Sequence, residues 1–289
     1  MSKTTIILIL LLIIFVVNLY LIKEPLQNHK KSYDCIISIN VHEKFEFLLK
    51  QLNNIKENVK CNYAVILNCN DYMFGECNAN KSKLSENVYV HDKPLNKFPG
   101  NGSLMNGIYN NIQYALDNFV FEFFIVSSSR NFFDNQMKIE DLRNLQNQTG
   151  HGVGVDKTRS WEEKKDGWRW PNMSHTLLIK HFIDNNQNMY SSAHEGLVFT
   201  YKGCQKIVEF LESNPEIKED VFNANDAMEE SGLQTITMNM GEPFYYIGNG
   251  CCSNDKIPTN GPSRDILQFM YKTNREAFRN PNTFIGCAI

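Results

Sequence analysis

The stretch that most constrains this chain runs from Phe119 to Phe133, FVFEFFIVSSSRNFF. It is a continuous apolar, aromatic and β-branched run that stops abruptly at polar turn formers. That pattern predicts a strand buried on both faces of a parallel sheet. In open α/β sheets the ligand lies off the carboxyl ends of such strands. Ser127, Ser128, Ser129, Arg130 and Asn131 therefore fall where chemistry is expected. The plainer reading is that these residues only end a strand.

The flanking sequence repeats the theme. YDCIISINV, from Tyr33, predicts a buried strand, followed by a helix with Phe45, Leu48, Leu49, Leu52 and Ile55 at helical spacing. NYAVILNCND predicts the next strand, residues 72–86 a loop, and NVYVHD a short strand before a second loop at Pro94–Gly102. A helix with Leu104, Ile108, Ile112 and Leu116 on one face then feeds the central strand. This order is that of a nucleotide-binding α/β half. Beyond Asn131 the texture is more polar. MKIEDLRNLQNQ predicts a helix, residues 149–174 a loop bearing Trp161, Trp168 and Trp170, and TLLIKH a weakly helical or extended piece. GLVFT predicts a short strand before a helix with Ile207, Phe210 and Leu211 turned inward. FNANDAMEESGLQTITM reads as a polar turn, a short helix and a strand.

The amino-terminal end is of another kind. TTIILILLLIIFVVNLYLI, Thr4 to Ile22, carries no charge and is long enough to cross the roughly 30 Å hydrocarbon core of a bilayer as a helix. A cleaved signal peptide is the competing reading, but the run is long for one, and the bulky NLYLIKEP offers no small-residue cleavage site. The expected organisation is a signal anchor at residues 1–23, a short stem at 24–32 and one domain in two lobes at 33–289. With so short a segment before the span, the body is expected in the lumen as a single-pass type II protein. Eight cysteines suit an oxidising compartment. They lack zinc-type spacing, so no metal is expected from them. Sequons at Asn80, Asn101, Asn147 and Asn172 point the same way, weakly. A net charge of −3 argues against a nucleic-acid partner, which calls for a basic stripe.

Function is narrowed first by what is missing. No GxGxxG, phosphate loop, GxSxG or HExxH occurs. Nor is there the Asp-x-Asp that holds a divalent cation on a nucleotide diphosphate in many sugar transferases. A diphosphate would have to be neutralised by fixed cations, for which the carboxyl-terminal basic run with Arg264 and Lys272 is available. These residues could equally be a solvated helix face. Strand ends supply Asn40, His42, Asn68 and Asp71 for a base slot. His194 and Glu195, after two serines and an alanine, form a candidate pair on the acceptor side. Trp168 and Trp170 could stack on sugar rings or anchor their own loop.

Four segments carry a family resemblance: YDCIISINVHEKFEFLLKQL, FEFFIVSSSRNFF, SSAHEGLVFTYKGCQKIVEFL and FNANDAMEES. In order and character they resemble the core-2/I-branching β-1,6-N-acetylglucosaminyltransferases and the related peptide xylosyltransferases. The resemblance implies a GT-A-like, Rossmann-like fold: a mixed, mostly parallel sheet flanked by helices behind an amino-terminal transmembrane helix. It implies a luminal glycosyltransferase that inverts configuration without a metal or other cofactor. The nucleotide-sugar donor would carry N-acetylglucosamine or xylose, and the acceptor would be a glycan or glycoprotein. The catalytic carboxylate then falls on Asp226, with Glu229 and Glu230 one helical turn on. Donor contacts fall on Asn40, His42, Asn68, Asp71, Ser128, Ser129, Arg130, Arg264 and Lys272. Acceptor contacts fall on His194, Glu195, Trp168 and Trp170. Two departures stand out: the turn after the central strand has Arg130–Asn131 in place of Gln-Asp, and the carboxylate is Asp where the family has Glu. Asp226 could instead be an ordinary helix cap. A catalytically inactive glycan-binding or assembly protein on the same scaffold is the alternative.

Overall fold

The computed structural model describes residues 30–98, 101–129, 131–133, 135–149, 175–192, 194–247 and 285–287. Its elements are β1 (Lys31–Val41), α1 (Phe45–Asn58), β2 (Tyr63–Cys69), α2 (Asp71–Ala79), β3 (Val88–Val90), α3 (Ser103–Asn118) and β4 (Phe119–Ser128). There follow β5 (Asn131–Phe133), α4 (Ile139–Thr149), α5 (Leu177–Asp184), β6 (Leu197–Thr200), α6 (Tyr201–Ser213), α7 (Pro215–Asn223), α8 (Gly232–Asn239), β7 (Phe244–Tyr246) and β8 (Ile285–Cys287). Six strands form one sheet in the order β3-β2-β1-β4-β6-β7, and β5 pairs with β8 in a second, two-stranded sheet. β3, β2, β1 and β4 run parallel, while β6 is antiparallel to both β4 and β7. The expected mixed, mostly parallel α/β sheet flanked by helices is therefore present.

β4 lies between β1 and β6, and both of its faces are covered. Phe121, Phe124 and Val126 join a core layer with Met105, Ile108 and Ile112 of α3, Leu178 of α5 and Ile207 of α6. Phe123 and Ile125 join the opposite layer with Phe45, Leu48 and Ile55 of α1, Met73 of α2 and Leu142 of α4. Burial of whole aromatic and aliphatic side chains at roughly 25 cal/mol per Å² makes this sandwich the main source of stability. It also explains why the sequence shows a continuous apolar run here and no alternation.

Three local expectations are corrected. Residues 72–86 contain the helix α2 followed by a 3-10 turn at Lys81–Lys83, where a loop was expected. Its start is capped by Asn70, whose Oδ1 accepts from the Met73 N–H at 2.8 Å, and Met73 and Cys77 bury one face at i,i+4 spacing. QTITM, read as a strand for its β-branched residues, lies in helix α8. There Thr237 Oγ1 bonds back to the Leu233 carbonyl at 2.9 Å and Thr235 Oγ1 to the Tyr190 carbonyl at 3.1 Å, so packing and hydroxyl satisfaction override propensity. The short helix expected after Asp226 is a single 3-10 turn, Met228–Glu230.

β1 already begins at Lys31, pairing with Phe119, so the last two residues of the expected stem belong to the sheet. Among the described residues no helix is long and apolar enough to cross a membrane. The expected span at residues 4–22 lies outside them, as do Arg130, Trp161, Trp168, Trp170, Arg264 and Lys272.

Candidate functional site

A sheet with the strand order 3-2-1-4 has its topological switch point between β1 and β4, and the crevice opens at their carboxyl ends. Chain direction places Asn40, Val41 and His42 there from β1, Asn68 and Cys69 from β2, and Ser127 to Ser129 from β4. His42 and Ser129 meet across the switch point: Ser129 Oγ lies 3.2 Å from His42 Nδ1 and 3.4 Å from its backbone N–H. Glu43 Oε1 stands 3.8 Å from His42 Nε2.

The turn after β4 is held from α1. Gln51, fully buried, donates from Nε2 to the Ser128 carbonyl at 2.6 Å and to the Asn131 carbonyl at 2.9 Å. Asn131 Oδ1 in turn accepts from the Ser128 N–H at 2.6 Å. Ser127, Ser128 and Asn131 thus shape the turn with their own groups, and Ser129 is the serine that faces His42. Asp71, the first residue of α2, accepts from Asn96 Nδ2 at 2.7 Å and ties the loop after β3 to the end of β2.

That loop supplies a group that sequence reasoning missed. Lys97 reaches back beneath the sheet edge and donates to the Asn68 carbonyl (2.9 Å), Asn68 Oδ1 (2.7 Å) and the Leu95 carbonyl (3.0 Å). Its three donors meet only neutral oxygens, and among the described residues no carboxylate pairs with it. Burial pulls its pKa down to about 8. A half-buried ammonium at the end of a parallel strand, with no carboxylate against it among the described residues, could receive an anion. Asn40 lies against it. Its Nδ2 donates to the Leu104 carbonyl at 3.0 Å, while Asn40 Oδ1 and Asn68 Nδ2 are buried without partners. Gly107 of α3 permits the crowding: a Cβ there would stand 2.4 Å from Asn40 Oδ1 and 2.8 Å from Lys97 Cδ. The one signal in the sequence was a lysine in a Pro-bracketed loop directly after a parallel strand.

A second polar cluster occupies the same edge on the far side of α3. Because β6 runs antiparallel, its beginning lies beside the end of β4, and the Gly196 N–H donates to the Val126 carbonyl at 2.9 Å. His194 and Glu195 stand there, with His194 Nε2 3.1 Å from Glu195 Oε1 and Nδ1 3.9 Å from Glu229 Oε1. Glu229, in the 3-10 turn, is 2% exposed and its Oε2 has no partner. Burial pushes its carboxyl up to about 7, which the neighbouring His194 only partly opposes. Asp226 is also buried in this turn: Oδ1 accepts from the Ala227 N–H at 2.7 Å, and Oδ2 is buried without a partner. This contact is to the adjacent residue, so Asp226 does not cap a helix in the usual way.

The turn is fastened to the start of α3. The Gly102 N–H donates to the Ala224 carbonyl at 2.8 Å, and a Cβ on Gly232 would stand 2.7 Å from Met105 Sδ. The first turns of α3 thus contact both clusters, through Leu104 and Gly107 on one side and Gly102 and Met105 on the other. Ligand atoms of His194, Glu229 and Glu230 lie within 4.8 Å of one another, a spacing that a divalent cation could also use.

No family model matches the chain, and a search of curated proteins finds no match.

Proposed function

We propose that the chain is a glycosyltransferase of GT-A-like architecture, moving a sugar of the N-acetylglucosamine or xylose class from a nucleotide sugar to a glycan or protein acceptor. The observation that carries this reading is that one sheet edge holds, at the end of β2, a cation with no carboxylate against it among the described residues, Lys97, and, at the start of β6, the buried His194–Glu229 cluster. Displacement at the anomeric carbon needs both. The leaving nucleoside diphosphate gains negative charge, and a half-buried ammonium stabilises it more strongly than one in water. The attacking hydroxyl loses a proton, and a carboxylate held near neutrality suits that task. Glu229 is the carboxylate so tuned, and Asp226 shares its turn.

In this reading Asn40, His42, Asn68, Asp71 and Ser128–Arg130 border the donor, and Arg264 and Lys272 add charge at the diphosphate. His194, Glu195, Trp168 and Trp170 face the acceptor. The reaction inverts configuration and uses no metal, and the protein is a single-pass type II membrane protein with its catalytic domain in the lumen. A cation-dependent variant has one observation in its favour, the grouping of His194, Glu229 and Glu230.

The test is a panel of nucleotide sugars assayed for donor hydrolysis and transfer, with and without EDTA. Turnover that survives chelation and disappears in Glu229→Gln supports the reading as stated. Turnover abolished by EDTA and restored by manganese replaces it with the cation-dependent one. Glycan binding without turnover of any donor points to an inactive binding or assembly protein.

A further inference from the structure

Cys35, Cys61, Cys69, Cys77 and Cys204 are the cysteines whose side chains are described, and the first four stand in two close pairs. Cys35 of β1 and Cys61, in the connection between α1 and β2, have their Sγ atoms 3.5 Å apart. Cys69 at the end of β2 and Cys77 of α2 have theirs 3.9 Å apart. Cys35, Cys69 and Cys77 are fully buried in the apolar layer beneath α1 and α2. Two thiols make an incomplete zinc set, which needs four ligands in a structural site. The metal-type grouping found among the described residues, His194 with Glu229 and Glu230, contains no cysteine. Cys204 is equally buried, but among the described residues no other cysteine stands beside it.

We propose that Cys35–Cys61 and Cys69–Cys77 are two intrachain disulfides, formed when the protein folds in an oxidising compartment. Each pair lies within about 2 Å of bonding distance, a gap that small side-chain rotations close. Bond formation proceeds by exchange with the disulfide of a thiol–disulfide carrier, small-molecule or protein. A thiolate of the pair attacks the carrier's S–S bond, and its partner then displaces the carrier. For each disulfide made, two S–H bonds are lost and two electrons pass to the carrier, whose two sulfurs leave as thiols with the two protons.

The two bonds have different consequences. Cys35–Cys61 would close a loop around α1, the helix whose Gln51 holds the turn after β4. Cys69–Cys77 would tie α2 to the strand end where Asn68 receives Lys97. Neither depends on the glycosyl-transfer reading, and both bear directly on the compartment.

The full chain, produced through a secretory pathway and extracted in detergent, is alkylated and digested without reduction, and its peptides are mapped by mass spectrometry. Linked peptides joining Cys35 to Cys61 and Cys69 to Cys77 are expected, with Cys204 alkylated as a thiol after unfolding. Recovery of either pair as thiols, or linked elsewhere (for example to Cys251 or Cys252), overturns the assignment for that pair. Dithiothreitol should lower the Tm by about 5–15 °C. Cys35→Ser, Cys61→Ser and the double variant should match one another, each with a smaller loss than full reduction, because the same single bond is lost in all three. Additive losses would overturn the bond.

Discussion

The two polar clusters on the carboxyl edge of the sheet are built on opposite principles. Around Lys97 the charge is cationic and every contact is a neutral amide or carbonyl oxygen. Around His194 the charge is anionic, with Glu195 and Glu229 on either side of one imidazole. Burial shifts both charged groups toward neutrality, Lys97 downward and Glu229 upward. In neither cluster does the other's charge offset that burial. Keeping them apart costs stability at neutral pH, and such a cost is characteristic of sites that act on a ligand. The comparison also separates two ways of placing a group. Lys97 depends on the parallel half of the sheet and the loop after β3, whereas His194 depends on the reversal of β6.

The largest expected effect is on the anionic side. Glu229→Gln keeps the shape and removes the proton acceptor, so glycosyl transfer should fall by about 10²–10⁴ while donor binding persists. Asp226→Asn, assayed in parallel, decides between the two carboxylates. If the Asn variant is inactive while the Gln variant turns over, Asp226 is the base and the raised pKa of Glu229 is only structural.

On the cationic side, Lys97→Met should weaken nucleotide-sugar binding about ten- to a hundredfold, measured by calorimetry, through loss of a charge-assisted contact of about 1.5–3 kcal/mol. Unchanged donor affinity in a folded Lys97→Met protein would break the assignment of that cluster to the diphosphate.

The clusters should also leave opposite marks on stability as pH changes. Glu229 has its folded pKa raised from 4.5 to about 7, so the folded state binds the extra proton in that window. Its contribution to stability is complete below pH 4.5 and is lost as pH rises through 7. Lys97 has its pKa lowered from 10.5 to about 8, so its contribution is present above pH 10.5 and is lost as pH falls through 8. Thermal melts across pH should show Glu229→Gln removing the first slope, with a higher Tm than wild type above pH 7. Lys97→Met should remove the second slope. A Tm for Glu229→Gln that is lower at every pH would mean that the carboxylate is a structural partner.

The smallest effect is expected at Gly107. An alanine there meets Asn40 Oδ1 and Lys97 Cδ, so one of them or α3 must shift, at about 1–3 kcal/mol. Donor affinity should fall with little change in transfer at saturating donor. An equal loss in turnover would show that the two clusters are mechanically coupled through α3.

The sequence by itself determined the layers and the edge. Runs such as CIISINV, AVILNC and FFIV leave no polar face, so each must lie in a sheet covered on both sides, and their polar carboxyl ends mark where a ligand can enter. Asn40, His42, Asn68 and Ser129 were legible for that reason, since strand ends are local signals. His194–Glu195 and the Asp226–Glu230 turn were legible as polar punctuation between apolar elements, though not as neighbours. Only the tertiary structure decided that β6 reverses direction and brings His194 within 3.9 Å of Glu229. It likewise decided that a lysine in an unremarkable loop lies against Asn68, and that helix α8 forms where β-branched residues suggested a strand. Periodicity reports which side of an element is covered and by what kind of surface. It carries no information on which distant loops meet, because that depends on strand order and on the close approach that glycines 102, 107 and 232 allow around α3.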